Sequence, residues 1–391
     1  MTSGLRVLVA ASSIAFMVYC TRYAYSMMMP YMMQDLGLNY AQAGLIYSSY
    51  MSIYLVAALF IGFLVDVRDL RLVILTFLPL FAVGNALMAA ASSLWTASLF
   101  FGIAGLGASV GWVPTTLWVQ RRFPERRGTY LGILQLSCNL GFGTLGLLLP
   151  VALPVLGWRG VWMVLGVISA VWLIPITAMT KGATAPVRSD MSITRYLAEF
   201  RSVLRNRAFW LGGGSYMAAS FAIMTPLTFS ADYVKYLGIG EVWESMVFTV
   251  IAFVGIAGAL VIPPLSDRIG REKALALNNT IMMVGLAGSA IARSFLSLII
   301  WTVAVGVSYG GVWVLYAALV RDIYGSGVAG GVMGAWTLIG GLGLLLSPFV
   351  GGLLIDILGG YTAPYLLSAA LAIISIPLAF MAKKLGPGRT R

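Results

Sequence analysis

Within the stretch Thr21-Arg22-Tyr23-Ala24-Tyr25-Ser26-Met27-Met28-Met29-Pro30, one guanidinium stands in an otherwise apolar run. Placing an arginine in hydrocarbon costs about 2.5 to 3.5 kcal/mol on insertion scales, so a retained one is a functional candidate by default. At helical spacing Tyr19, Tyr25 and Ser26 share its face. A fixed cation in such a setting binds an anion, and a guanidinium forks onto a carboxylate through two parallel hydrogen bonds. All thirteen acids (Asp35, Asp66, Asp69, Glu125, Asp190, Glu199, Asp232, Glu241, Glu244, Asp267, Glu272, Asp322 and Asp356) fall in loops or at the ends of apolar runs. None sits mid-membrane to neutralise Arg22, to compensate an organic cation or to relay a proton. A structural role, with Arg22 bonded to helix carbonyls or reaching toward an interface, stands beside the anion-binding one.

The same inventory excludes other chemistry. Histidine, the commonest proton acceptor near neutral pH and a frequent metal ligand, does not occur. Cys20 and Cys138 lie in apolar runs and read as small buried hydrophobes rather than as a disulfide or a metal pair. With no nucleophile and base constellation and no metal cluster, the chain reads as a non-enzyme without metal or cofactor. A net charge of +12 would suit nucleic acid only on a solvent-exposed basic domain, and the pattern offers none.

Membrane helices must position these residues. Of 391 residues, 60% are hydrophobic and 10% charged, against about 25% charged in soluble proteins. The 45 glycines suit helices packed closely in lipid, and no alternating pattern suggests a β-barrel, so the predicted class is all-α. Twelve apolar runs are long enough to span: 5–30, 41–64, 71–92, 95–119, 128–155, 158–180, 208–234, 243–265, 274–292, 295–320, 328–357 and 360–382. The first carries no cleavage signal and is expected to be retained. With a cytoplasmic N-terminus, only Arg22, Arg159, Lys235 and Arg293 of the 25 basic residues lie outside the inner segments. That bias predicts both termini inside the plasma (inner) membrane.

The polar segment 181–207 divides the chain into an N-terminal bundle, 1–180, and a C-terminal bundle, 208–391. Ser189 or Asp190 can cap a helix there whose Ile193, Tyr196, Leu197, Phe200 and Leu204 share one face, with Arg195, Arg201 and Arg205 away from it. This reads as an interfacial helix on anionic lipid or, equally, as a solvated linker. The halves repeat. A shift of 201 lays Leu36-Gly37-Leu38 on Leu237-Gly238-Ile239, Asp66 on Asp267 and Trp112 on Trp313, and Leu156-Gly157 meets Leu358-Gly359 at 202. Paired halves of this kind mark secondary transporters. Arg22 breaks the repeat, with Ile223 opposite it.

The segment Gly62-Phe63-Leu64-Val65-Asp66-Val67-Arg68-Asp69-Leu70-Arg71, its echo Asp267-Arg268-Ile269-Gly270-Arg271, and Arg121-Arg122-Phe123-Pro124-Glu125-Arg126-Arg127-Gly128 resemble the loop signatures of the major facilitator superfamily. Asp322 and Gly330 echo the last segment more thinly. The resemblance implies twelve transmembrane helices in two bundles and a conformational latch from Asp66, Arg71, Asp267, Arg268 and Arg271. At a helix end a carboxylate meets basic groups and helix N-termini; a role in topology alone is the alternative. The first copy has Val67 where a basic residue is usual and Asp69 where glycine is usual, which predicts the weaker latch.

The resemblance further implies a central cavity lined by spans 1, 4, 7 and 10. The candidates are then Arg22, Tyr19, Tyr25 and Ser26; Trp112, Thr115 and Thr116; Tyr216, Ser220 and Thr225; and Tyr309, Trp313 and Tyr316, with Gln135, Asn139 and Trp336 from spans 5 and 11. Packing is the competing role for each aromatic. The family's span 4 arginine is replaced by Phe101, ahead of Gly105 and Gly107, and the glycine-proline pattern of drug/proton antiporters is missing from span 5. Organic-phosphate antiporters carry arginines on spans 1 and 7, whereas one cation suits a monoanion. Thr21 through Asp66 is most similar to anion:cation symporters, with Thr21 in place of their acid. Monocarboxylate and oxalate carriers are similar in overall pattern, but their span 8 arginine has no counterpart between Trp243 and Leu265.

The expectation is a monomeric secondary carrier in lipid that moves a small organic anion, a monocarboxylate first, by alternating access, with a proton or cation as co-transported partner. The alternative is an exporter of hydrophobic compounds, suggested by nineteen methionines and aromatic faces that repack around varied ligands. A membrane receptor without transport is a third class.

Overall fold

The computed structural model describes residues 3–180, 193–238 and 244–387. Among them every regular element is helical: α1 (Ser3–Leu36), α2 (Tyr40–Val67), α3 (Leu70–Met88), α4 (Leu94–Ala108), a 3-10 turn (Ser109–Gly111), α5 (Val113–Arg122), α6 (Arg127–Met179), α7 (Ile193–Arg205), α8 (Arg207–Tyr236), α9 (Glu244–Ile269), α10 (Arg271–Ala290), α11 (Phe295–Tyr324), α12 (Ala329–Leu358) and α13 (Thr362–Leu385). Nine segments of the described residues are long and apolar enough to cross a membrane, with α4, the 3-10 turn and α5 counted as one, Leu94–Arg122. Ser189 and Asp190, the expected caps of the linker helix, lie outside the described residues.

Helix ends follow from local chemistry, and the repeat shows in them. Ser93 and Ser294, mates at the 201 shift, both close reciprocal caps, with Thr96 and with Ser297. Gly37 and Gly238 end their helices at φ 64° and 71°, and Gly157 and Gly359 at 62° and 70°. A side chain is strained there, so glycine is required at each member of both pairs. Gly157 also breaks α6, so that 127–179 is two helices meeting at that residue. Asp69 takes φ −61° and accepts from the Arg71 backbone N–H to cap α3, whereas its mate Gly270 turns at φ 93° without a side-chain cap. The aspartate that departs from the family pattern is therefore a helix cap.

Two compact units emerge, Met1–Arg122 with Ser137–Met191, and Phe123–Leu136 with Ser192–Arg391. In the first, α4 packs on α2 and α3; in the second, α9 and α10 pack on α11, and α8 and α10 on α13. Small residues set these approaches. A Cβ on Gly107 would overlap the backbone nitrogen of Phe81 in α3. Gly107→Ala is expected to destabilise by about 3 kcal/mol, since backbone cannot yield as a rotamer does. Loss of monodisperse protein on size-exclusion chromatography, beside a normal profile for Gly143→Ala, where the added carbon meets nothing, checks this.

Candidate functional site

Arg22 projects from α1 and Tyr50 and Tyr54 from α2, all in the first unit. The guanidinium carbon lies 4.3 Å from the centroid of Tyr54, 4.9 Å from Tyr19 and 5.6 Å from Tyr50. Arg22 is 7% exposed, and its Nε and Nη2 have no hydrogen-bond partner among the described residues. Among the described residues no carboxylate pairs with it. Three cation–π contacts at about 1 kcal/mol each are of the same order as the cost of placing the charge in hydrocarbon. Ring faces thus hold the cation in place while its Nε and Nη2 make no hydrogen bond within the described residues.

The cage has a built support. Tyr50 and Tyr54 are parallel, 6.3 Å apart, and Tyr50 stacks on Phe101 of α4 at 4.5 Å. Gly105 allows this, because a Cβ there would strike the Tyr50 carbonyl. Phe101, which replaces the span 4 arginine that the resemblance implies, backs the cage through Tyr50. Thr21, in place of an acid, donates to the carbonyls of Met17 and Val18 at 3.3 and 3.2 Å.

Of the span 1 candidates, the structure brings Tyr19 onto Arg22 and places the others elsewhere. Tyr25 is buried, stacks on Phe101 at 5.0 Å and donates to the Ala43 carbonyl at 2.6 Å, tying α1 to α2. Ser26 is exposed. Sequence reasoning passed over Tyr50 and Tyr54, although Tyr47, Tyr50 and Tyr54 recur at three and four residues, a helical stripe.

Trp112 follows the 3-10 turn and is buried; the Thr115 hydroxyl donates to Gly111 and Trp112 carbonyls, and that of Thr116 to Val113. Gln135 and Asn139 are buried on α6. In the second unit, Tyr216 stacks on Tyr316 at 4.6 Å and meets Trp313 edge-on at 5.8 Å. Tyr316 shares hydrogen bonds with Ser215, whose hydroxyl also lies 2.6 Å from the Ser375 carbonyl. Tyr309 and Ser220 are buried nearby in sequence on α11 and α8, and Thr225 joins Ser347 and Ser368 in a buried hydroxyl cluster. Trp336 donates to the Phe209 carbonyl at 3.1 Å, a packing contact of α12 with α8.

Around the aspartate loops, Asp267 accepts from the backbone N–H of Gly128 at 3.0 Å, from that of Thr129 at 2.9 Å, from the Thr129 hydroxyl at 3.0 Å and from Arg271 at 2.6 Å. It caps the N-terminus of α6, where a negative charge is favoured. Arg127 and Arg271 both approach Asp322. In the first unit Asp66, fully buried, pairs with Arg121 at 3.3 Å. Arg71 is half-buried and its Nε lacks a hydrogen-bond partner among the described residues, while Arg268 is exposed. A charge partner of Asp66 is thus an arginine at the end of α5, 55 residues along the chain.

The sequence profile of the Major Facilitator Superfamily matches residues 11–292 and 245–390. The chain belongs to that superfamily. Among curated relatives, the probable sulfoacetate transporter SauU of Cupriavidus necator is 25% identical over 91% of this chain and 88% of its own length. Monocarboxylate transporter 4 of Mus musculus is 23% identical over 70% of this chain. The match spans 60% of that mouse protein's length. A superfamily fold is borne out by solved structures: the human organic anion transporter MFSD10 (TM-score 0.79, 16% identity, covering 97% of this chain and 100% of its own) and the E. coli fucose:proton symporter FucP (0.74, 17%, 98% and 99%). These relatives are membrane transporters, and a superfamily transporter is what the chain is similar to along most of its length.

Proposed function

We propose that the protein is a secondary carrier of a small organic monoanion, a monocarboxylate foremost, with Arg22 as the anion's partner. The single observation that carries this is a buried guanidinium, held on tyrosine faces, with two nitrogens unpaired and no carboxylate beside it among the described residues. An anion arriving there gains charge-assisted hydrogen bonds that the empty protein lacks. The named substrates of two relatives, monocarboxylates and sulfoacetate, are small organic anions and support the class.

In this reading the chain crosses the plasma membrane twelve times, with both termini cytoplasmic as the basic residues favour. It works as a monomer by alternating access, and Asp267, Arg271 and the start of α6 form the stronger latch. A proton or cation accompanies the anion. Asp35 is a poor proton carrier because Arg159 and the Trp158 indole already engage it.

Uptake into proteoliposomes tests the proposal. Saturable flux of a small carboxylate, absent for its amide, is expected. Competition that ignores ligand charge would overturn it in favour of an exporter of hydrophobic compounds.

A further inference from the structure

We propose that the outer face of α7, together with Trp210, binds the headgroup of an anionic phospholipid. The observations lie within the second unit and are independent of Arg22.

Tyr196, Phe200 and Val203, spaced four and three residues apart, are buried on protein, with Tyr196 stacked on Phe200 and Phe200 edge-on to Phe209 of α8. This fixes the rotation of α7, and two hydrogen bonds tie the corner that follows. Asn206 caps α8 by accepting from the Ala208 N–H at 2.9 Å. The Trp210 indole donates to the Leu204 carbonyl at 2.8 Å, which satisfies an end-of-helix acceptor and holds the ring beside α7.

The opposite face presents a shallow, open groove lined, among the described residues, by Thr194, Leu197, Ala198, Arg201, Ser202 and Arg205. Arg201 and Arg205 are exposed one turn apart, and around them Leu197, Leu204 and Trp210 are also exposed. Three arginines, Arg195, Arg201 and Arg205, against the single acid Glu199 leave α7 at +2.

Two guanidiniums one turn apart recognise a phosphodiester. Free phosphate would account for the arginines but not for the leucines and the indole. A soluble acidic partner would not need Trp210, which opens a 30-residue apolar helix and has the amphipathic character of an interfacial anchor. A phospholipid satisfies both, with its phosphate on the arginines and its acyl chains along Leu197, Leu204 and Trp210.

Full-length protein in detergent tests this through melting curves titrated with phosphatidylglycerol, phosphatidylcholine, sodium phosphate or poly-glutamate. Phosphatidylglycerol alone is expected to raise the melting temperature saturably. In the Arg201→Gln/Arg205→Gln double variant the half-saturating lipid concentration should rise roughly tenfold or more, with melting in phosphatidylcholine unchanged. Arg195→Gln, outside the groove, should shift it less. An equal phosphatidylglycerol response in the double variant overturns the assignment, as does an equal rise with phosphate or poly-glutamate. Should the double variant melt differently in phosphatidylcholine, native mass spectrometry decides: retained phosphatidylglycerol at wild-type occupancy overturns the site, and its loss supports it.

Discussion

Arg22→Ala is expected to lower kcat/KM for carboxylate uptake by about 30-fold to several thousandfold, the range for removing one partner of a buried charge pair. Arg22→Lys keeps the charge but loses the planar fork, so it should fall between wild type and alanine. The stability effect runs the opposite way. Among the described residues Arg22 has no carboxylate partner and two unpaired nitrogens, so Arg22→Met exchanges a desolvated charge for a flexible apolar side chain. A melting temperature equal to or above wild type, alongside lost uptake, is the expected pair of results. A destabilised Arg22→Met with normal transport would sink the functional reading, because it would make Arg22 a packing residue. Tyr54→Leu removes the nearest ring and should weaken binding and stability together.

Asp267→Asn has the second large effect. The carboxylate collects four hydrogen bonds, two from the first turn of α6 and one from Arg271 among them. An amide cannot accept all four, and it leaves Arg271, itself buried, with the longer 3.7 Å contact to Asp322 in place of the 2.6 Å pair. The expected cost is about 3 kcal/mol, within the range for breaking a buried pair. Thr129→Val removes one hydroxyl contact only and should cost about 1 kcal/mol. Hydrogen exchange at Gly128 and Thr129 distinguishes a latch from a general support. About 3 kcal/mol is a change of roughly 150-fold in a local opening equilibrium, so those amides should exchange faster in Asp267→Asn while α13 does not. Uniform deprotection would mean global destabilisation instead.

Much of the fold was legible because membrane helices declare themselves by length and composition, and the paired glycines at 37 and 238, and at 157 and 359, carry the repeat into a shared positive φ. Arg22 was legible as an exception within an apolar run. Its cage was half legible. Tyr19 lies on the same helix, at a spacing geometry dictates, but Tyr50 and Tyr54 come from α2, and one sequence does not state which helix faces which. The same gap explains Tyr25, whose rotation about α1 turns it to Phe101, and Asp66, whose charge partner Arg121 lies on another element. On α7 the apolar stripe was visible, but a stripe does not say whether protein or lipid covers it. Tyr196 and Phe200 turned inward, while Leu197 and Leu204 stayed out.

Holding Arg22 on ring faces rather than on an acid also has an electrical consequence. Tyrosine faces bear no net charge, so in the proposed carrier the Arg22 charge stands uncancelled without substrate, is cancelled by an anion alone, and is restored when a proton or cation accompanies the anion. Moving one charge across the full membrane potential is worth about 2.3 kcal/mol per 100 mV. The unloaded return stroke would then feel the voltage, as would a loaded stroke that also carries a cation, whereas an anion-only stroke would not, so the voltage dependence of the loaded step separates co-transport from uniport.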